Sequence, residues 1–448
     1  MPHPHEPGPQ SNATAAKALA IEQLGELESN DTASAGELVP LLLKLAGLYE
    51  ESGEYDAALA ACTRAADLAA AAPAGATRND LGARSLAALI RAYRNRGELA
   101  RAAALRTNAQ AFGEHASQSV LAEVLIELGR ANHDLGDHDT AQLQLQRALD
   151  IADAVVDAQR SAELRADVLE ALGALARARG RYPEADQLLL DALELAERIY
   201  GPQSLQVAGV LNELGMVCKF SGRFADGRRY YDRTLAILTS RIGPEAPDVA
   251  AVYHNIGGLE HARGDFAAAE PYARAAVTLR ERSLGPEHIA VAADKAAHAA
   301  ILDALGQHDR AAIAFREAID TFERFLGPDH HDVAVNQNNL AAVVQRQGRL
   351  DEAEQLYERA LAAKERTLGP DHPETALTLN NLAVNYKRQG RHEDAERTFK
   401  RALELLDAQL QPDHPAIRAC LCNYAQLLHA VHRDDEAAKL EARSPHDR

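Results

Sequence analysis

LGPDHP, residues 368–373, puts a glycine, two prolines, an aspartate and a histidine into six positions. Such a run cannot continue a regular helix or strand. Yet it recurs as LGPDHH from Leu326, LGPEHI from Leu284, IGPEAP from Ile242, YGPQSL from Tyr200 and LQPDHP from Leu410, each start 42 residues from the next. A run copied six times is either a repeated ligand site or a hinge between building blocks. The residues between the copies decide which.

Gly390, in NNLAVNYKRQGRHEDAERTFKRAL (380–403), serves as a marker. Its equivalents are Gly348, Gly306, Gly264, Gly222 and Gly180, all 42 apart, then Gly136, Gly97 and Gly53 at looser spacings of 39 to 44. The next position forward is His432, in a degenerate last copy, which makes ten copies. Five residues after each marker the residue is small every time: Ala395 and eight other alanines, and Gly227. Eight residues before it stands Leu or Ile, with His298 and Tyr424 as the departures.

Each copy reads as two helices. Helix A of the last regular copy spans about Pro373 to Gln389, with Leu379, Leu382, Ala383 and Tyr386 on one face. Gly390 ends it, and Lys387 and Arg388 occupy the last turn, where cations suit the helix dipole. Helix B spans about Glu393 to Ala408, with Ala395, Phe399, Ala402 and Leu403 inward. Gly369 and Pro370 stop one helix B, Pro373 suits the first position of the next helix A, and Asp371 and Glu374 lie where the dipole favours anions. The loop is a stop-and-restart signal. A shared metal site is excluded by reach. His288, His330, His372 and His414 recur once per copy, at least roughly 10 Å apart, whereas ligands of one metal lie within about 2.0–2.1 Å of it. Neither a metal nor a cofactor is expected.

Composition agrees with packed helices. Hydrophobic residues are 46%, aromatics only 4%, and there is no Trp. The formal charge of −18 disfavours a phosphate backbone as partner. Four cysteines in a long chain do not make a disulfide scaffold. Cys420 and Cys422, two apart on a helix, point to nearly opposite sides and chelate poorly. No basic and apolar leader opens the chain, and no stretch of 18 apolar residues spans a membrane. The expected compartment is the cytoplasm. Residues 1–14 read as a disordered tail, 15–35 as an N-terminal capping helix, 36–199 as divergent repeats, 200–442 as regular ones and 443–448 as a second tail.

Leu382, Ala383, Tyr386, Ala395, Phe399 and Ala402 at these offsets resemble the tetratricopeptide repeat. The 42-residue period with its Gly-Pro loop is similar to the longer variant of kinesin light chains. The resemblance implies an all-α solenoid, a right-handed superhelix of about ten units. Its A helices would line a groove for an extended peptide or a partner's helix. Two pairs of helix A positions would build that groove. Those ten and nine before the marker include Asn212, His254, Asn255, Asn338, Asn339, Asn380, Asn381 and Asn423. Those three and two before it include Lys219, Arg346, Lys387 and Arg388. An Asn amide both donates and accepts, so it can pair with a peptide backbone whatever its side chains. The same amides could instead bridge neighbouring helices. In the copy of Gly306, Ala296 and Ala297 replace the Asn pair, which interrupts the groove or makes an apolar pocket with Ala293 and Ala300. The cations suggest an acidic ligand.

No phosphate-binding, zinc-protease, nucleophile-elbow or CxxC motif occurs. No enzyme activity is expected of the chain by itself. Three functions follow: a protein- or peptide-binding scaffold, a regulatory or substrate-delivery subunit of a separate enzyme, or an RNA-binding array, the last opposed by the charge. The sequence leaves the oligomeric state open.

Overall fold

The computed structural model describes residues 9–30, 33–108, 116–412 and 414–443. Among them are 21 helices and no strand: one leading helix and ten pairs. The array divides into two compact units, 1–263 and 264–448. The first holds the leading helix Pro9–Glu28, the pairs from Ala35–Glu51 with Tyr55–Ala71 through Leu205–Phe220 with Phe224–Arg241, and the A helix Pro247–Arg263. The second begins with Phe266–Leu284 and continues with four pairs: Ile289–Ala304 and His308–Leu326, His331–Arg346 and Leu350–Thr367, Pro373–Arg388 and His392–Gln409, Pro415–Ala430 and Asp434–Ala442. The change to regular repeats at residue 200 lies inside the first unit.

The leading helix departs from expectation at both ends. It begins at Pro9, inside the stretch read as tail, and stops at Glu28, short of residue 35. Its run of Ala, Leu, Glu and Lys favours helix throughout, and Ala20 and Leu24 are buried in one cluster with Leu38 and Leu42. Ser34 then starts the next helix. Its backbone N–H and hydroxyl both donate to Glu37 Oε2, at 3.0 and 2.9 Å. Residues 1–8 of the expected N-terminal tail and 444–448 of the C-terminal one lie outside the described residues.

The marker glycine closes helix A as a Schellman motif. Gly390, at φ 78°, donates to the Lys387 carbonyl at 3.1 Å, and Arg391 donates to Tyr386 at 3.0 Å. Five residues on, the alanines are fully buried at the A–B crossing: Ala395, Ala353, Ala311 and Ala269 are all 0% exposed. Where the residue is Gly227, a Cβ would stand 3.0 Å from both Cys218 Cβ and Leu259 Cδ1.

A second compensation runs between the residue seven before the marker and the residue nine after it. In the second unit the pairs are Ala299 and Phe315, Ala341 and Tyr357, Ala383 and Phe399, every one of them buried. In three copies of the first unit, at Gly129, Gly173 and Gly215, the small partner shrinks to glycine. A Cβ on Gly215 would fall 2.4 Å from the Tyr231 ring, and one on Gly173 2.5 Å from Leu189. The Tyr231 ring therefore lies directly against helix A backbone.

His432 takes the marker position of the last copy and is the one non-glycine with positive φ among the described residues, at 62°. An L side chain in that conformation costs roughly 1–2 kcal/mol. His432→Gly should stabilise the terminal pair by about 1 kcal/mol. Slower amide exchange in Pro415–Ala430 would show it, and unchanged exchange would refute the strain.

Candidate functional site

The loop histidines cap helices. His372 Nδ1 accepts the backbone N–H of Glu374 at 3.2 Å, the second residue of the helix that Pro373 begins. His288 accepts from Ala290 at 3.1 Å, His330 from Asp332 at 3.2 Å and His414 from Ala416 at 3.1 Å. Each satisfies an orphan N–H at a helix start. The cap is thus the histidine rather than Asp371. The Asp371 carbonyl accepts from Gln409 of the next repeat, and the loop carboxylates Glu287 and Asp329 pair with Arg324 and Arg366 of the repeat that follows each. These three loops therefore each tie two repeats together.

The asparagines stand on helix A as expected, and most of them bond to one another. Asn255 Nδ2 donates to Asn212 Oδ1 at 2.9 Å, Asn381 to Asn338 at 3.2 Å and Asn423 to Asn380 at 3.1 Å. Each pair is 43 apart, one more than the repeat, so the residue nine before a marker reaches the residue ten before the previous one. Asn380 also donates to Asn381 at 3.3 Å, which makes Asn423–Asn380–Asn381–Asn338 a continuous chain of amides. Asn380 is buried; Asn212, Asn255, Asn338, Asn339, Asn381, Asn423 and His254 are half-buried. Asn339 bonds to no described residue.

The cations are less free than the sequence suggests. Arg346 pairs with Asp303 through both Nε, at 3.1 Å, and a second nitrogen. Lys387 Nζ donates to Gln426 Oε1 at 3.1 Å, and exposed Arg388 donates to the Gln345 carbonyl at 3.3 Å. Lys219 lies over the Phe220 ring, 5.5 Å from its centre. Burial first, then Arg177, pulls the Lys219 pKa down. Burial, then Arg388, does the same to Lys387.

The Ala-substituted copy does form a concavity, of about 350 Å³. Ile289, Ala290, Ala293, Ala296, Phe322, Asp332 and Asn336 line it. Ala293 and Ala296 belong to it, whereas Ala297 and Ala300 do not line it.

One feature of the first unit was missed at the sequence level. Its A helices carry a largely half-buried charge network. Arg94 bonds Glu127 at 3.2 Å and Asp134 at 2.8 Å, Arg130 bonds Glu127 at 3.2 Å and Glu170 at 2.8 Å, and Arg177 bonds Glu213 at 3.1 Å. All of these groups except Glu127 line a cavity of about 240 Å³. Burial raises the carboxyl pKa values of Glu170 and Glu213 and pushes Asp167 up to about 6. At Glu127 burial acts the same way, but Arg130, Arg94 and Arg91 outweigh it and hold the carboxyl below its usual range. The signal in the sequence was Glu127, Glu170 and Glu213 at the nine- and ten-before positions that hold Asn elsewhere.

Among the described residues no three His, Cys, Asp or Glu side chains gather to hold a metal ion, and no helix is long and apolar enough to cross a membrane. What the geometry defines is an α-helical repeat protein with a polar row along its A helices. The tetratricopeptide repeat matches residues 164–240, 206–282, 248–324, 296–365, 332–408 and 386–444, with one more repeat at 122–154. That is more than half of the chain, which belongs to the tetratricopeptide repeat family. No curated protein matches its sequence. Among solved structures, BtubC (BKLC) from P. vanneervenii is 24% identical and covers 50% of this chain and 90% of its own, at a TM-score of 0.45. The apo quorum sensor NprR from B. thuringiensis is 11% identical over 76% of this chain and 92% of its own, at 0.59. The Rap protein complexed with Competence and Sporulation Factor is 13% identical over 83% and 98%, at 0.57. The last two share the fold.

The His288 cap makes stability pH-dependent. Only a neutral ring offers Nδ1 as an acceptor. Burial, with Arg280 adding to it, holds the His288 pKa below its ordinary 6.5. A depressed pKa contributes stability above the unfolded value and loses it as pH falls through the folded one. His288→Asn keeps a capping oxygen at every pH and removes this dependence. Its melting temperature should gain on the wild type as pH drops from 8 to 5, by an amount reflecting a cap of about 0.5–2 kcal/mol. Parallel pH profiles would refute the neutral cap.

Proposed function

We propose that the chain is a non-catalytic protein- or peptide-binding scaffold whose ligand lies along the polar row of its A helices. The observation that carries this is the fixed register of half-buried amides. An Asn amide has two donors and two acceptor lone pairs. Asn381 spends one donor on Asn338 and one lone pair on Asn380, and keeps one of each for a ligand. The bonds between repeats hold these remaining groups in place, so a ligand meets a prearranged surface. The fold similarity adds context: Rap, of like fold, is seen complexed with Competence and Sporulation Factor.

The ligand we infer is acidic. Lys387 and Arg388 press two cations together at the end of one A helix, and Arg388 is exposed. An incoming carboxylate relieves that pressure. The net charge of −18 opposes nucleic acid. We place the work in the cytoplasm, because Cys62, Cys218 and Cys420 are buried free thiols and Cys422 is an exposed one.

Pull-down from native extract, wild type against Asn339→Ala with Asn381→Ala, tests the groove. Partners should be lost from the double variant at unchanged helix content. Full retention of every partner would remove the groove from the reading. Lys387→Glu with Arg388→Glu should weaken binding to the captured partner and flatten its salt dependence. An unaltered salt profile would leave the partner's acidity without support.

A further inference from the structure

Within the second unit the amide register has one gap, and the gap adjoins the concavity. At three junctions the asparagine nine before a marker donates to the one ten before the previous marker. Asn339 holds the donor's place at a fourth junction. The residue opposite it in that register is Ala296, which has no side-chain acceptor. Asn339 is accordingly the amide without a bond to any described residue.

One turn below on the same helix is Asn336, 7% exposed, which lines the concavity. Its Nδ2 donates to the Asp332 carbonyl at 2.8 Å. No donor among the described residues reaches its Oδ1. A second absence opens the space itself. The residues that follow Ala293 and Ala296 through the array are Val335 with Asn338, then Leu377 with Asn380. The two alanines leave this room above Phe322, which is 4% exposed.

We propose that this concavity seats one large apolar side chain of an extended peptide, whose backbone N–H and C=O pair with the open Oδ1 of Asn336 and the amide of Asn339. This rests on the groove reading above and gives it a register. About 350 Å³ is at the small end of the roughly 300–1,000 Å³ of ligand pockets, room for a side chain rather than a cofactor. Asn336 and Asn339 are three apart and share a helix face. In an extended segment the N–H and C=O of one residue point the same way, towards a neighbour that can answer both. A helical ligand has already spent those groups on itself, except at its ends.

The test selects random linear peptides displayed on phage against the full chain, then measures the synthesised winners by fluorescence anisotropy. Winners should share one Leu, Ile, Phe or Trp position, and its change to Ala should cost about 10- to 100-fold in Kd. Ala293→Leu fills the concavity and Ala296→Asn supplies the missing acceptor. Both residue types already stand at the equivalent places of another repeat, as Leu377 and Asn380, so the fold accommodates them. Each variant should lose a similar factor at an unchanged melting temperature. Winners that lose affinity with Lys387→Glu and Arg388→Glu but bind both alanine variants normally would overturn the pocket and leave the groove standing. Winners with no preferred apolar position overturn it as well. A selection that enriches no peptide counts against groove and pocket together.

Discussion

The two helices of each repeat cross at a point that holds a methyl group or less. Ala395 and its equivalents are completely buried there, and at Gly227 the three nearest heavy atoms already lie within 3.3 Å of a notional Cβ. Packing this close sets the geometry of everything else. It brings the A-helix backbone onto the large side chain of helix B at Leu145, Tyr231 and Phe399, and there the residue seven before the marker is Gly129, Gly215 or Ala383. Overpacking such contacts costs roughly 1–3 kcal/mol in an ordinary core. Here the same contact recurs, and a distortion in one repeat shifts the face it offers to the next. With these faces committed to packing, one narrow row of each A helix stays available for polar chemistry.

The two units furnish that row differently. In the first, Arg94, Arg130 and Arg177 alternate with Glu127, Glu170 and Glu213 in a largely half-buried network, beside the one amide bridge of Asn255 to Asn212. In the second, the bridges along the row are amides. The difference matters energetically. Burying an ion pair costs most of what its attraction returns, and removing one partner strands the other. The upward push on Asp167, to about 6, is the mark of that desolvation. Neutral amides bridge helices without this cost, and they leave donors and acceptors that no counter-ion screens. The first row is suited to holding repeats in register; the second can do that and still recognise a backbone.

The period, the helix limits and the buried alanines were legible because helical periodicity and Gly-Pro punctuation act within one repeat. The helix expected from Pro373 to Gln389 runs from Pro373 to Arg388. What escaped depends on relations between repeats or on side-chain rotation. That Asn381 bonds Asn338 requires a stagger of one residue between neighbouring A helices, which a 42-residue repeat conceals. The cap role of His372 depends on one ring nitrogen turning back to its own helix, and a string of letters does not distinguish that from a ligand pointing outward. The Arg–Glu network escaped because its members sit at uneven spacings, where charges read as a solvated face. The Ala pocket was half legible: the missing Asn pair was visible, but its lining by Phe322 and Asn336 needed the stagger as well.

That stagger also bears on where recognition concentrates. A bridging amide is rigid, and rigidity favours binding, but each bridge spends hydrogen-bonding capacity that a ligand would use. A regular array therefore trades recognition for internal order at each rung. The trade is suspended where the register meets a residue that cannot answer. Ala296 is such a residue. It leaves Asn339 unspent while Asn338, one position away, remains fixed by Asn381. A free amide beside a clamped one, above a space made by the same alanines, combines order with unused capacity. Repetition builds the surface, and its one lapse in this unit gives that surface a point of discrimination.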